Sequence, residues 1–61
     1  MEKLLYRVSE AGEQLGLSRS KVYVLIRSGA LPSVRIDGAR RIRASDLEHY
    51  VASLQALPEP A

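Results

Sequence analysis

The sequence contains no cysteine and only one histidine, His49. A chain without cysteine forms no disulfide and builds no Cys/His zinc site. A single histidine is a poor basis for a metal site, so we expect His49 to lie on the surface of the last helix; a ligand role is the alternative. The 61 residues must rely on a small core, because a domain of about 60 residues buries only ~60% of its unfolded surface.

Long apolar segments are also absent. No run approaches the ~20 apolar residues that cross a bilayer, and residues 1–8 lack a signal-peptide pattern because charges flank only two leucines. A basic helix side can bind membranes, but no segment sets bulky apolar residues opposite such a side beyond what a core requires. We therefore expect a cytoplasmic protein.

The sequence also lacks the residue sets that carry catalysis or hold cofactors. It has no carboxylate pair, no Ser/His/Asp set and no phosphate loop, and residues 16–21 (GLSRSK) lack the glycines and the Lys-Ser/Thr pair of a Walker loop. We predict neither an enzyme nor a cofactor or metal site. With 46% hydrophobic and 26% charged residues, the composition is typical of a folded globular domain.

The formal net charge of +2 hides two unequal parts. Residues 18–44 hold seven basic residues against Asp37 alone, a net charge of +6, whereas the remaining residues hold two basic and six acidic ones, a net charge of −4. Such separation is typical of a protein that faces a polyanion with one side. Nucleic acid is the first candidate, and an acidic protein is the alternative.

The segment Leu15–Gly29 predicts the turn and second helix of a helix-turn-helix. Ser18 is a common helix N-cap, and Gly29 suits the left-handed position that ends a helix. One side of this helix is apolar and should pack. The candidate DNA-contacting residues lie at its start, on its other side and at the margins: Ser18, Arg19, Ser20, Lys21, Tyr23, Val24 and Arg27.

That free side offers what a duplex groove requires. It has cations for phosphates, donors for base edges and an apolar body for a thymine methyl, and the helix N-terminus adds a partial positive charge. The alternative is an ordinary amphipathic surface helix with a solvated polar side.

The segment before this turn predicts helix one at Val8–Leu15, after an extended lead-in, Leu4–Arg7, that covers the core with Leu5. Gly12 is small where the two helices would cross closely; the alternative is that it is a weak point of the helix. Residues 16–18 form a three-residue connector to helix two.

After Gly29, Pro32 prevents a continued helix. Asp37-Gly38 between two alternating runs predicts a β-hairpin. We expect Val34, Ile36 and Ile42 to point to the core, Arg35, Arg41 and Arg43 to solvent, and Arg40 to lie at the tip.

An arginine-rich hairpin of this kind is typical of a wing that lies against phosphates or enters a minor groove. The alternative is a solvated edge strand that its charges protect from aggregation.

The last helix is predicted to begin at Ser45, because Ser45 and Glu48 have the spacing of a capping box. Its apolar positions should close the core; they are Leu47, Tyr50, Val51 and Leu54. Residues 55–61 contain two prolines and predict a frayed tail, so the domain should occupy residues 1–54.

Taken together, these elements resemble the excisionase-type winged helix-turn-helix family of recombination directionality factors, a relative of MerR-like DNA-binding domains. The resemblance runs from Leu5 to about Leu54 through the motifs GLSRSKVY, LIRSGALP, the arginine hairpin and SDLE. It implies a mainly α fold of three helices with a two-stranded wing. The second helix would enter the major groove, and the wing would enter the adjacent minor groove.

The resemblance also implies a function. Such a protein binds attachment-site DNA in a bacterial host cell, cooperates with neighbouring copies, bends the duplex and directs excision by an integrase. The same fold acting as a small transcriptional regulator is one alternative, and an antitoxin-like interaction module is another. Two residues depart from the family pattern: Arg7 replaces the usual Ser or Thr cap of helix one, and Val24 replaces a common basic residue, which favours a methyl contact.

The small size of the domain predicts that several copies bind DNA cooperatively, because one helix and one wing read only a few base pairs. A two-fold dimer would need a spare apolar patch, and only Leu57 is left over from the predicted core sets. We therefore expect a monomer that binds directly repeated sites.

Overall fold

The computed structural model describes residues 3–57. The elements are, in chain order, β1 (Leu5–Tyr6), α1 (Val8–Leu15), α2 (Arg19–Ser28), β2 (Val34–Ile36), β3 (Ala39–Arg43) and α3 (Ala44–Ser53). Three helices and a hairpin confirm the predicted winged helix-turn-helix. No helix within the described range has the length and apolar character needed to span a bilayer.

Close packing at the helix-turn-helix corner depends on Gly12. The Leu17 N–H donates to the Gly12 carbonyl at 2.8 Å. A Cβ atom added at Gly12 would lie 2.8 Å from the Leu17 carbonyl oxygen and 3.4 Å from Cγ2 of Val22. Backbone oxygen cannot move aside as a flexible side chain can, so only glycine fits. The predicted close approach of the two helices is confirmed.

Both ends of α2 lie where the sequence predicted them. The Ser18 hydroxyl accepts a hydrogen bond from the Lys21 N–H at 3.2 Å, and Gly29 adopts a φ of 84° as the C-cap. The chain then turns back, because the Leu31 N–H donates to the Leu25 carbonyl at 3.1 Å. Leu31 becomes fully buried. Leu31 was not among the predicted core residues.

The sheet has three antiparallel strands in the order β1-β3-β2. Its first strand lies in the predicted lead-in, with Leu5 paired to Arg43 and Tyr6 paired to Ile42. Two residues are too few to form a stable strand alone, but β3 supplies their partner. Tyr6 packs against the core and Leu5 does not, so the assignment of Leu5 as the core cover is wrong.

A two-residue turn connects β2 to β3. Asp37 and Gly38 have φ values of 50° and 84°, and positive φ at both central residues is what a type I′ hairpin requires. The cross-strand pairs are Val34 with Arg41, Arg35 with Arg40, and Ile36 with Ala39. The prediction that Arg40 lies at the tip is wrong, because it sits within the strand, opposite Arg35.

This register also decides which hairpin residues share a face. Directly opposed residues point the same way, and successive residues alternate. Ile42 is therefore buried beneath the helices, while Ile36 is 49% exposed. The prediction that Val34, Ile36 and Ile42 all point to the core is wrong, because the two-residue turn pairs Ile36 with Ala39 and so places Val34 and Ile36 on the face opposite Ile42. One face carries Arg35, Arg40 and Ile42; the other carries Val34, Ile36, Arg41 and Arg43.

Helix α3 follows β3 without a loop and begins at Ala44, with Arg43 as its N-cap. The predicted capping box at Ser45 is therefore wrong, because Ser45 lies inside the helix and not at its N-cap. The Arg43 guanidinium instead donates to both carboxylate oxygens of Asp46, at 2.6 and 3.2 Å. The Ala44 N–H donates to the Leu4 carbonyl at 2.9 Å, so the start of the helix is fixed by the sheet.

The core is smaller than the sequence predicted. Helix α3 contributes Leu47 fully and Tyr50 partly, while Val51 and Leu54 are 52% and 57% exposed. The two predicted core positions are wrong because α1 and α2 pack on each other, which leaves α3 on β3. Of the predicted tail, residues 55–57 have no helix or strand, and residues 58–61 lie outside the described residues. The buried hydrophobic residues within the described range are Val8, Ala11, Val22, Leu31, Ile42 and Leu47.

Candidate nucleic-acid interface

Helix α2 presents a polar, cationic side opposite its buried side. Val22 has no exposed surface, whereas Val24 is 43% exposed. Lys21 and Arg27 are exposed as well, and so are Arg19 and Ser20. Cations, a hydroxyl and a small apolar side chain thus share one accessible surface, and their contact with DNA stays a prediction.

Ser18, the N-cap of α2, and Tyr23, within the helix, also serve the fold. The Ser18 oxygen accepts the capping hydrogen bond, which leaves its O–H free to donate to a phosphate. Tyr23 is half-buried and packs against the core, although the sequence placed it on the free side. The Arg19 guanidinium lies over its ring, 5.9 Å from the centroid. Tyr23 therefore both supports the core and holds Arg19 in place.

The arginines of the hairpin are held by specific contacts. Arg40 Nη1 donates to the Ser33 hydroxyl at 3.2 Å, and Arg41 Nη1 donates to the Arg40 carbonyl at 2.9 Å. Arg35 and Arg40 lie directly opposite each other across the strands. Like charges in that position destabilise a hairpin, and a polyanion relieves their repulsion.

Arg43 differs from the other hairpin arginines because it is paired within the fold. Its hydrogen bond to the Asp46 carboxylate raises the pKa of the Arg43 guanidinium. Its charge is largely compensated before any ligand arrives.

An open cleft of about 350 Å³ lies between the start of α1, the start of α2 and β3. Its lining joins four of the predicted residues, Arg19, Tyr23, Arg40 and Arg41, to Arg7, Val8 and Ser9 of α1 and its N-cap. The other predicted residues are not part of its lining: Ser18, Ser20, Lys21, Val24, Arg27, Arg35 and Arg43.

Arg7 was not among the predicted site residues, because it lies outside the basic segment, residues 18–44. The one available signal was its departure from the family's Ser or Thr cap. A guanidinium has no acceptor, so its side chain cannot cap α1. The cap comes instead from Glu10, whose Oε1 accepts the Arg7 N–H at 2.8 Å.

Glu10 also accepts a hydrogen bond from Lys3, and this contact, followed by the Arg7 N–H, lowers the pKa of the Glu10 carboxyl. The ion pairs within residues 3–57 are Lys3 with Glu10 and Arg43 with Asp46. No group of three or more His, Cys, Asp or Glu side chains in this range could hold a metal ion.

Comparison with known proteins matches this amino-acid sequence to a family. The family model described as "Helix-turn-helix domain" covers residues 5–55. A protein named "Probable excisionase" from Saccharopolyspora erythraea is 46% identical over 54 residues. One named "Excisionase" from Streptomyces ambofaciens is 43% identical over 47 residues, which are 77% of this chain and 76% of that relative. This chain belongs to the excisionase-type helix-turn-helix family.

This excisionase-type chain is shorter than its Saccharopolyspora relative. The matched segment is 88% of this chain but 55% of that protein. No solved structure matches the chain. The relation to MerR-like domains stays a prediction.

Proposed function

We propose that this excisionase-type domain binds duplex DNA sequence-specifically, with α2 in the major groove and the wing, β2 and β3, in the adjacent minor groove. The observation that carries the proposal is the cleft that joins Arg19 of α2 to Arg40 and Arg41 of the wing. A protein that contacts two neighbouring grooves must present both elements on one side, and residues of α2 and of β3 both line this cleft.

The two elements have different tasks in this proposal. The exposed side chains of α2 contact base edges and nearby phosphates, with Val24 set against a thymine methyl. The wing places guanidiniums along the backbone and in the minor groove. The base-reading set is Ser18, Arg19, Ser20, Lys21, Tyr23, Val24 and Arg27, and the wing set is Arg35, Arg40, Arg41 and Arg43.

The biological role we propose is that of an excisionase, and the names of the Saccharopolyspora and Streptomyces relatives support it. Several copies bind attachment-site DNA in the bacterial cytoplasm and bend it. A separate integrase can then excise the DNA between its attachment sites. The chain itself carries out no covalent chemistry. Bending a short duplex costs of order 1–6 kcal/mol, which additional protein–DNA contacts offset.

Neighbouring copies have apolar side chains with which to make contact. The prediction that only Leu57 is left over is wrong, because Leu4, Ile36, Val51 and Leu54 are also largely exposed. Ile36 lies in the wing, whereas Val51 and Leu54 lie at or just after the end of α3. The wing of one copy can therefore contact α3 of the next on directly repeated sites.

A small transcriptional regulator is the second candidate function. The same exposed Val51 and Leu54 favour it, because a two-fold dimer requires a self-complementary apolar patch. Such a dimer would bind inverted half-sites one or more helical turns apart.

Selection from a random duplex library tests sequence-specific binding. We expect one sequence family to be enriched, with an affinity that falls as salt rises. If about four to six phosphates are neutralised, log K falls against log salt with a slope near −0.9 for each. A salt-independent affinity, or tighter binding to an acidic protein than to duplex, would favour the interaction module.

Footprinting with a circular-permutation bending assay then separates the two DNA-binding roles. An excisionase should protect direct repeats cooperatively, bend the duplex and stimulate excision by an integrase encoded beside it. Protection of one inverted repeat by a preformed dimer, without bending, would identify a regulator.

A further inference from the structure

We infer that the cleft between α1, α2 and β3 holds one backbone phosphate of the bound duplex, and that Arg7 contacts this phosphate. The inference rests on the proposed function and extends it to α1. It adds a third contact region, which neither the recognition helix nor the wing provides.

The composition of the cleft points to phosphate. Four arginines line it, and no carboxylate does. Four arginine residues at one cleft concentrate positive charge there, and a phosphate both neutralises such charge and accepts bidentate hydrogen bonds from a guanidinium. Pockets for small organic ligands are mostly apolar with a few polar groups, and this lining is the reverse.

Three of the four arginines are oriented before any ligand binds. Arg19 lies over the Tyr23 ring, Arg40 donates to a serine hydroxyl, and Arg41 donates to a main-chain carbonyl. Side chains that are already ordered lose less entropy when they bind. The N-terminal side of the cleft is completed by Arg7 and Ser9.

Arg7 is not explained by the stability of α1. A positive charge at a helix N-terminus opposes the helix dipole, and a guanidinium cannot accept the first-turn N–H groups. The structural contacts of Arg7 come from its main chain, since its N–H donates to Glu10 and its carbonyl accepts the Ala11 N–H at 2.8 Å. The side chain can therefore be changed without removing these contacts.

The position of the cleft selects the backbone rather than a base. It lies between α2, which enters the major groove, and the wing, which enters the adjacent minor groove. The DNA strand that separates two neighbouring grooves must pass between these elements. A phosphate of that strand therefore faces the start of α1.

The first measurement compares Arg7→Gln with Lys3→Gln, which removes the same charge outside the cleft, on random duplex and on the selected site. We expect Arg7→Gln to weaken binding about tenfold on every sequence and to reduce the salt slope by about 0.9. Lys3→Gln should have a much smaller effect. Equal effects of the two variants, or no effect of Arg7→Gln, would overturn the inference and leave the proposed function standing.

The second measurement replaces single phosphates of the selected duplex with neutral methylphosphonates. One position should weaken the wild-type protein more than it weakens Arg7→Gln, because the variant has already lost the Arg7 contact with that phosphate. Independent losses at every position would contradict an Arg7–phosphate contact.

The third measurement adds inorganic phosphate to the protein and follows its amide resonances. If it shifts the Val8 and Ser9 amide resonances while Arg7→Gln binds DNA like the wild type, the cleft binds a free anion and the inference fails. If the wild-type protein binds no duplex at all, the proposed function fails, and the inference fails with it.

Discussion

The recognition helix and the wing hold their cations in different ways. On α2, Lys21 and Arg27 are exposed side chains that no hydrogen bond or ion pair within residues 3–57 fixes. On the wing, Arg40 and Arg41 are half-buried and hydrogen-bonded, and Arg43 is paired with Asp46. Lys21 and Arg27 are therefore suited to adjustable contacts with bases, whereas Arg40 and Arg41 are suited to phosphate contacts of fixed geometry.

Free and ordered cationic side chains lose different amounts of conformational entropy when they bind DNA. Fixing a long free side chain costs up to about 2 kcal/mol, so a contact from α2 is favourable only where a well-placed base repays it. The ordered arginines of the wing lose less on binding, and they should favour every duplex alike. Discrimination between sequences should therefore come from α2 and general affinity from the wing.

The largest expected effect comes from disturbing how α2 is mounted on α1. Gly12→Ala should destabilise the domain by roughly 2–3 kcal/mol, because the new methyl would lie 2.8 Å from a backbone carbonyl. Urea denaturation measures the change. Glu13→Ala, at an exposed position of the same helix, is the control and should stay within ~0.5 kcal/mol. A Gly12→Ala variant of wild-type stability would show that α2 shifts freely on α1.

Removing Arg19 tests discrimination directly. Arg19→Ala should weaken binding to the selected site by about 1–3 kcal/mol while changing the affinity for random duplex far less. Arg19→Lys keeps the charge but loses the bidentate geometry, so it should restore affinity more than specificity. Binding titrations on the selected and the random duplex give the ratio of the two affinities for each variant.

Tyr23 requires a conservative change in the same experiment. The Tyr23 side chain packs against the core, so Tyr23→Ala would confuse folding with binding. Tyr23→Phe keeps the ring beneath Arg19. An equal loss on both duplexes for Arg19→Ala would contradict the assignment of sequence reading to α2.

Arg41→Ala should show the opposite pattern on the wing. We expect a loss of about 1 kcal/mol that is similar for all duplexes, with a salt slope smaller by about 0.9. Arg43→Ala should lose less, because Asp46 already engages that guanidinium. A sequence-dependent loss for Arg41→Ala would assign base contacts to the wing.

The smallest effect concerns the start of α1, which carries Arg7. The pKa of Glu10 is lowered in the folded protein, so its ionised form stabilises the fold at neutral pH. This contribution is present above the unfolded value of about 4.5 and is lost as the pH falls through the lower folded value. Glu10→Gln should abolish this part of the acid dependence of thermal unfolding. An unchanged profile would contradict the role of Glu10 as the cap of α1.

Local signals were sufficient for the helix-turn-helix and for the turn of the hairpin. Ser18 and Gly29 mark the ends of α2 because capping involves residues within one helical turn of each end. Asp37-Gly38 marks the hairpin because positive φ is a property of those residues themselves. The polar side of α2, and with it most of the candidate site, follows from helical periodicity alone.

Only the tertiary structure decided which surfaces meet. The pairing of Leu5 with Arg43, the faces of the hairpin and the exposure of Val51 depend on residues distant in sequence. The place of Arg7 in the cleft also depends on residues distant in sequence. Its sequence neighbours place it outside the basic segment, and the packing of α1 against α2 and β3 brings it into the cleft with the other three arginines. The sequence alone determined the elements and their charges, because those depend on neighbouring residues, whereas register and packing determined the cleft.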